Sequence, residues 1–330
     1  MRESITISNI KKFNKNFNSI SANKVARNAL IQNDTSKVAL NWENFSTINH
    51  VYSNTISKEL PATNQKASGR CWGFAGLNLL RLEIVKNYNL SNFEFSQNYF
   101  MFWDKLEKAN YFLENILKTL EHSFESRIIM HLLQNPVQDG GQWDMFVNLI
   151  EKYGLVPQSV MPETNHSSKS HMMNYFLTHK LREFSYVLRN LKKPKNSRTE
   201  LRKIKEKMMS DIYSLLCIFL GNPPSSFDWS IKDKDNKFAR FMNIEPINFY
   251  KKITNFDLKN KVCLINAPMS NKKMNKLYTV DFLGNVIGGN IIKYANVEIN
   301  ELKKATIKSI KNDEAVWFGC DVGKMLNRDL

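Results

Sequence analysis

The spacing of apolar residues changes along this chain from a helical period to a strand-like one. The clearest helical stripe predicts a helix over residues 199–220 and comprises Leu201, Ile204, Met208, Ile212, Leu215 and Phe219. Gly221 and the prolines at 223 and 224 end that helix. Short strands are predicted only later, at residues 262–265, 278–280 and 316–318. Helices followed by strands indicate an α+β protein with two lobes.

Further helices divide the chain into four regions. Helical spacing or turn signals predict helices over residues 71–88, 96–121, 143–153, 170–191 and 298–311. We interpret residues 1–60 as an N-terminal extension, 61–190 as a helical lobe, 191–261 as a helical insertion and 262–330 as the start of a β lobe. Within residues 96–121 the aromatic residues are predicted to be core. The charged residues between them, Asp104, Lys105, Glu107 and Lys108, are predicted to form a solvated or inter-subunit face.

The chain carries a large surplus of positive charge. Its 330 residues include 47 Lys and Arg against 31 Asp and Glu, a net charge of +16. Such a surplus is compatible with weak binding to nucleic acid or to an anionic surface, and equally with a Lys- and Asn-rich surface that carries its charge evenly. The basic residues cluster at 192–207, which makes basic helices around this region an alternative binding function.

Features of the sequence predict a cytoplasmic protein that does not enter a membrane. The N-terminus shows no secretory signal, and the apolar run at 212–220 is far shorter than the roughly 20 residues of a membrane-spanning helix. The cysteines lack metal-ligand spacing, so reduced thiols are predicted, with neither a metal nor a cofactor. Cys217, Cys263 and Cys320 have apolar neighbours and are predicted to be core residues.

Cys71 differs from the other cysteines because it begins a predicted helix. The positive end of a helix favours the thiolate, which is the nucleophilic form of cysteine. Ser68 and Gly69 are small and leave the sulfur approachable. The side-chain amide of Gln65, together with the backbone N–H of Cys71, would form an oxyanion hole. The alternative is a buried cysteine at a helix start, with Gln65 as an ordinary surface residue.

The segment 63–75 resembles the nucleophile segment of papain-like cysteine peptidases, and specifically that of the bleomycin hydrolase/aminopeptidase C branch. Segments at 95–99, 102–114, 139–145, 152–157, 181–183, 221–224 and 316–324 are similar to that branch too. The resemblance implies a papain-like two-lobed fold, with Cys71 as nucleophile and Gln65 in the oxyanion hole. It also places Gly140 and Gly141 along the substrate backbone, with Asp139 at the edge of the same subsite. Glycines let an extended peptide approach the backbone, although a plain turn is the alternative for this pair.

The sequence does not supply an obvious partner for the thiol. A catalytic thiolate needs a base, and the family uses a His and an Asn from late in the β lobe. All the histidines precede the predicted β region, so none is assigned: His50, His122, His131, His166, His171 and His179. We therefore expect a β lobe that is incomplete at the C-terminus, without the family's C-terminal arm.

The resemblance implies a cysteine aminopeptidase that acts on peptides and assembles as a homo-oligomer, a hexamer in the family. With no assigned base, these 330 residues are expected to show very low activity or none by themselves. Two alternatives stay open. One is a non-catalytic remnant that assembles with an intact partner, and the other is a basic nucleic-acid-binding subunit of the same assembly.

Overall fold

The computed structural model describes residues 4–191, 198–254 and 256–321. Its chain forms two compact units, one of residues 4–54 with 319–321 and one of residues 55–318. Residues 192–197 of the basic cluster and 322–324 of the C-terminal family segment lie outside the described residues.

The first unit contains four helices: α1 Ile7–Ser19, α2 Ser21–Leu30, α3 Thr35–Val38 and α4 Trp42–Ser46. A capping box starts α1, in which the Thr6 side chain accepts from the Asn9 N–H and the Asn9 side chain accepts from the Thr6 N–H. None of the four helices buries a residue. The predicted N-terminal extension is therefore mostly helical.

The second unit contains the main core and nine helices within its described residues. They are α5 Cys71–Asn87, α6 Gln97–Lys118, α7 Arg127–Gln134, α8 Trp143–Tyr153, α9 Asn165–Ser168, α10 His171–Asn190, α11 Arg198–Leu220, α12 Pro246–Ile253 and α13 Ile299–Lys311. Helix α6 is central, because α5, α7, α8, α10 and α11 all pack against it. The helices predicted from periodicity are confirmed, and their ends differ by at most three residues from those expected.

Five strands form two small sheets. Strands β1 Phe227–Lys232 and β2 Phe238–Ile244 pair as an antiparallel hairpin. Strands β3 Cys263–Ile265, β4 Lys276–Tyr278 and β5 Tyr294–Asn296 form a second sheet in the order β3-β5-β4. In that sheet β5 is parallel to β3 and antiparallel to β4.

Two predictions about strands need correction. The region 191–261, predicted to be a helical insertion, also contains the β1–β2 hairpin. The strand predicted at 316–318 does not form among the described residues. Instead the Trp317 ring packs edge-on against Trp143 and Phe146, at centroid distances of 5.5 and 5.8 Å. The apolar character of this segment therefore reflects packing onto α8 and not strand pairing.

The charged residues of α6 are buried, so the predicted solvated or inter-subunit face is wrong. Asp104, Lys105, Glu107 and Lys108 are between 1% and 4% exposed. Five helices pack against α6, and they cover the face of its middle turns that carries these charged residues. Each of the four side chains has an ion-pair partner within the protein.

The cysteines are all free thiols, as the sequence predicted. Cys217 and Cys263 are partly buried, whereas Cys320 is exposed, so the prediction of a core position is wrong for Cys320. The apolar neighbours of Cys320 belong to an irregular segment at 312–321 and not to a packed strand. No helix in the described part of the chain is long and apolar enough to span a bilayer.

Candidate active site

Cys71 is the first residue of α5, and its side chain is exposed. The N-cap residue Arg70 makes no side-chain cap, and its carbonyl accepts from the Phe74 N–H at 2.9 Å. The N–H groups of Cys71, Trp72 and Gly73 have no acceptor among the described residues. These free donors create a positive potential at the helix end. The thiol is therefore accessible and lies where an anion is stabilised.

Short hydrogen bonds orient Gln65 in the loop before α5. Lys66 has a left-handed φ of 54°, and its N–H donates to the Asn64 side chain at 2.8 Å. Ser68 Oγ donates to the Gln65 carbonyl at 2.6 Å. Gln65 Oε1 is buried and has no hydrogen-bond donor in the described chain. The amide nitrogen is therefore the end of this side chain that is left for a ligand.

A buried ion pair anchors the same loop. Arg70 donates to both carboxylate oxygens of Glu163, at 2.8 and 2.7 Å, and its side chain is only 4% exposed. Arg70 Nε also donates to Ser68 Oγ at 2.9 Å. Bidentate pairs of this kind fix geometry as well as adding stability. A continuous chain of bonds thus runs from Glu163 through Arg70 and Ser68 to Gln65.

The predicted substrate-binding glycines lie beside Trp72. A Cβ at Gly141 would be 2.6 Å from the indole ring, whereas a Cβ at Gly140 would meet nothing within 4 Å. The N–H groups of both glycines and the carbonyl of Gly141 have no partner among the residues described. This segment therefore offers free backbone donors and an acceptor next to α5, the helix that Cys71 begins.

Asp139 connects the glycine segment to the nucleophile loop. Its Oδ2 accepts from the Gly69 N–H at 3.3 Å and from Ser170 Oγ at 2.9 Å. Its Oδ1 accepts from Asn174 Nδ2 at 2.7 Å and from the Lys105 ammonium group. Burial works against ionisation of Asp139, but Lys105 and these hydrogen bonds outweigh it and hold the pKa well below its usual range. The carboxylate is thus fully engaged inside the protein.

The proton acceptor for Cys71 is not among its contacts. Among the described residues of its own unit, Cys71 makes no hydrogen bond or ion pair with a histidine; these are His122, His131, His166, His171 and His179. The His166 ring packs against Phe219, and the His179 ring packs against Tyr175. The structure thus leaves these five histidines unassigned. In the described chain, no group of three His, Cys, Asp or Glu residues is placed to hold a metal ion.

The structure links the five residues predicted for the site. Two residues just before Cys71 make the hydrogen bonds: Ser68 donates to the Gln65 carbonyl, and the Gly69 N–H donates to Asp139. Trp72, which follows Cys71, packs on Gly141. Sequence reasoning missed the supporting residues Arg70, Glu163, Lys105 and Lys108. The sequence did contain one sign that the two lysines are buried, because they lie in a helix that carries large apolar residues on every side.

Comparison with known proteins identifies similar chains over almost the entire length. The model of the Peptidase C1-like family matches residues 4–330. Aminopeptidase C of Listeria innocua is 44% identical over 328 residues, which cover 99% of this chain and 74% of that protein. Human bleomycin hydrolase is 42% identical over 311 residues, covering 93% of this chain and 68% of that protein. The crystal structure of PepW from Lactobacillus rhamnosis matches with a TM-score of 0.96 and 41% identity, over 99% of this chain and 73% of that one.

Proposed function

Because the chain belongs to the C1-like peptidase family, in the papain-like branch of aminopeptidase C and bleomycin hydrolase, we propose that it is a cysteine aminopeptidase with Cys71 as its nucleophile. The observation that carries the proposal is the exposed thiol at the unpaired N-terminus of α5. The family also has the α+β, papain-like fold that the sequence predicted.

In the proposed reaction the Cys71 thiolate attacks the carbonyl carbon of the N-terminal residue of a peptide. The carbonyl oxygen becomes an oxyanion, which accepts hydrogen bonds from the Cys71 N–H and from Gln65 Nε2. Collapse of this intermediate breaks the C–N bond, the leaving amine takes up a proton, and water then hydrolyses the thioester. Loss of one oxyanion donor costs about 3–4 kcal/mol of barrier, so Gln65 is proposed to contribute strongly.

The substrate backbone is proposed to lie along Gly140 and Gly141. Their free N–H groups and the free Gly141 carbonyl suit an extended peptide, which binds by main-chain hydrogen bonds. Asp139 was predicted at the edge of this subsite. Since its carboxylate has four partners inside the protein, we propose that it orients the subsite and does not contact the peptide.

We further propose that these 330 residues turn over peptides very slowly by themselves. General base catalysis typically contributes 10²–10⁴-fold, and Cys71 has no histidine partner among the described residues of its own unit. A cytoplasmic location and assembly as a homo-oligomer, a hexamer by resemblance, stay predictions.

The test compares two exposed thiols of the same chain. Iodoacetamide labelling at neutral pH, followed by peptide mass mapping, gives separate rates for Cys71 and for Cys320. We expect Cys71 to react roughly threefold faster or more, because a helix N-terminus favours the thiolate. The Cys71→Ala chain controls for labelling elsewhere. Equal rates at the two thiols would contradict the assignment of Cys71, and rapid hydrolysis of an aminoacyl-coumarin by this chain would contradict the proposed slow turnover.

A further inference from the structure

We propose that two buried lysines of α6, Lys105 and Lys108, are positioning residues for the substrate backbone. They hold residues 137–140 from the inside, so that the peptide groups of Gly140 and Gly141 are presented outward. This inference rests on the proposed function and adds the residues that shape its peptide-binding segment.

The evidence is a row of four consecutive carbonyls that are all bound from the protein interior. Lys105 Nζ donates to the Val137 carbonyl at 2.7 Å. Lys108 Nζ donates to the carbonyls of Gln138 and Gly140, both at 2.8 Å. Trp72 Nε1 donates to the Asp139 carbonyl at 2.6 Å. The segment is neither helix nor strand, so these side chains provide the inward hydrogen bonds that a regular ladder would otherwise supply.

The geometry of Lys108 is fully determined by its partners. Its three N–H donors match three acceptors, the two carbonyls and Asp104 Oδ2 at 2.8 Å. The ammonium group also lies 5.0 Å from the centre of the Trp72 ring. Burial lowers the pKa of Lys108, while Asp104 raises it and so favours the charged form. An ammonium group enclosed in this way keeps both carbonyls in place.

Lys105 connects the same row to the nucleophile loop. It is 1% exposed and binds Asp139, whose other carboxylate oxygen accepts from the Gly69 N–H. Gly69 lies two residues before Cys71. The two lysines therefore set the position of the glycine segment relative to the thiol.

Burying two ammonium groups opposes folding, since each loses its hydration. Replacing both partners of a buried ion pair by well-packed neutral side chains is often harmless to stability, whereas removing one partner is not. If the role of Lys108 were purely structural, a folded variant that lacks it would bind a peptide as the wild type does. With a positioning role it would not, because the Gly140 carbonyl would lose its donor and the outward amides would lose their alignment.

The experiment separates peptide binding from the reactivity of the thiol. Cys71 is alkylated either by a dipeptidyl chloromethyl ketone, which uses the backbone subsite, or by chloroacetone, which carries the same reactive group without a peptide. The ratio of the two second-order rate constants measures the contribution of the peptide. Because both reagents consume the same thiolate, the ionisation of Cys71 cancels in this ratio.

In the Lys108→Met chain we expect the ratio to fall about tenfold, since a hydrogen bond to a charged donor contributes on the order of one power of ten. The chloroacetone rate should stay within about twofold, because the N-terminus of α5 is unchanged. Lys108→Arg retains a charged donor and should recover part of the ratio. Lys118→Met, an exposed lysine on the same helix, is the matched control and should leave both rates unchanged.

Substitution of Lys108 leaves Asp104 without its partner, so a second variant guards against misfolding. Asp104→Asn with Lys108→Met removes both charges, and it should fold and show the same fall in the ratio. A folded Lys108→Met or double variant that retains the wild-type ratio would overturn the inference while leaving the proposed function intact. A wild-type chain with no preference for the peptidyl reagent would instead overturn the proposed function, and the inference with it.

Discussion

Gly141 lies directly against the Trp72 ring, while the neighbouring Gly140 lies in open space. A methyl group at Gly141 would come within 2.6 Å of indole carbons that are themselves fixed by the bond to the Asp139 carbonyl. Gly141→Ala should therefore destabilise the protein by about 1–3 kcal/mol through overpacking. Gly140→Ala should change the free energy of unfolding by less than about 0.5 kcal/mol, as open surface positions do.

The two variants are a matched pair, because each adds one methyl group and the two positions are neighbours in the sequence. Urea denaturation measures the free energy of unfolding of each variant. Equal midpoints for Gly140→Ala and Gly141→Ala would show that the Trp72 ring can move aside. In that case the close packing of Gly141 would not be what fixes the glycine segment on α5.

The Asp139 carboxylate should make stability depend on pH in the acid range. Its pKa in the folded protein is held below the usual value near 3.9, by Lys105 and by hydrogen bonds from Asn174 and Ser170. A depressed pKa stabilises the fold fully above the usual value, and this contribution is lost as the pH falls towards the folded pKa. At pH 7 Asp139→Asn should cost about 3 kcal/mol, because it removes the carboxylate with which the buried Lys105 ammonium pairs directly.

The measurement is the difference in unfolding free energy between wild type and Asp139→Asn at pH 7, 4 and 3. We expect the difference to narrow below about pH 4, because the Asp139 carboxylate takes up a proton in the unfolded chain while it stays ionised in the folded protein. Ser170→Ala removes one of the hydrogen bonds that lower this pKa, and it should give a smaller difference that narrows over the same pH range. A gap between wild type and Asp139→Asn that is constant from pH 7 to pH 3 would show that this ion pair does not stabilise the fold.

At the scale of single elements, periodicity predicted where the helices lie better than it predicted how deeply their side chains are buried. The stripe that defines α11 and the glycine and proline after it were sufficient to give the C-terminal end of that helix. The extent of α6 was predicted as well, but its exposure was not. A charged residue on a helix usually faces water, whereas five other helices pack against α6. Sequence spacing alone does not reveal how many neighbours a helix has.

The strand predicted at 262–265 is confirmed by β3, and the one predicted at 278–280 overlaps the end of β4, whereas two other predictions about strands failed for a related reason. Phe227, Trp229 and Ile231 alternate with polar residues, and a turn at Asp233–Asn236 follows, so a signal for the β1–β2 hairpin was present between two helices. The apolar run at 316–318 lacked a pairing partner. A strand exists only where another strand accepts it, and that information is not local.

The residues of the candidate site also differ in whether a local sequence signal marks them. Cys71, Gln65 and the glycines are close in sequence to recognisable signals, such as a helix start or a turn. The groups that support them come from far along the chain: Glu163 is 93 residues from Arg70, and Lys105 is 34 residues from Asp139. Pairing across such separations depends on the tertiary fold, which explains why the sequence could suggest candidate reacting residues but not the residues that hold them.

For the whole molecule, the net charge of +16 raises the question of nucleic-acid binding. The described part of the basic cluster is partly neutralised, because Arg202 and Lys205 both pair with Glu114 of α6, at 3.0 and 2.6 Å. Lys203 and Lys207 are exposed on α11, but α13 likewise exposes Lys303 and Lys308. The structure therefore shows no special concentration of free charge on the described part of α11.

We predict that any nucleic-acid binding by this chain is weak and spread over the surface. Single-stranded DNA affinity should fall steeply with salt, with a slope of about −0.7 per phosphate contacted in a plot of log K against log salt. We compare two double variants, Lys203→Glu/Lys207→Glu on α11 and Lys303→Glu/Lys308→Glu on α13. Both should weaken binding by the same factor, because each reverses two exposed charges. Fluorescence anisotropy of a labelled oligonucleotide at several salt concentrations measures both effects. Loss of binding confined to the α11 pair would instead indicate a localised site and support the alternative function, since diffuse attraction depends on the total charge and not on its position.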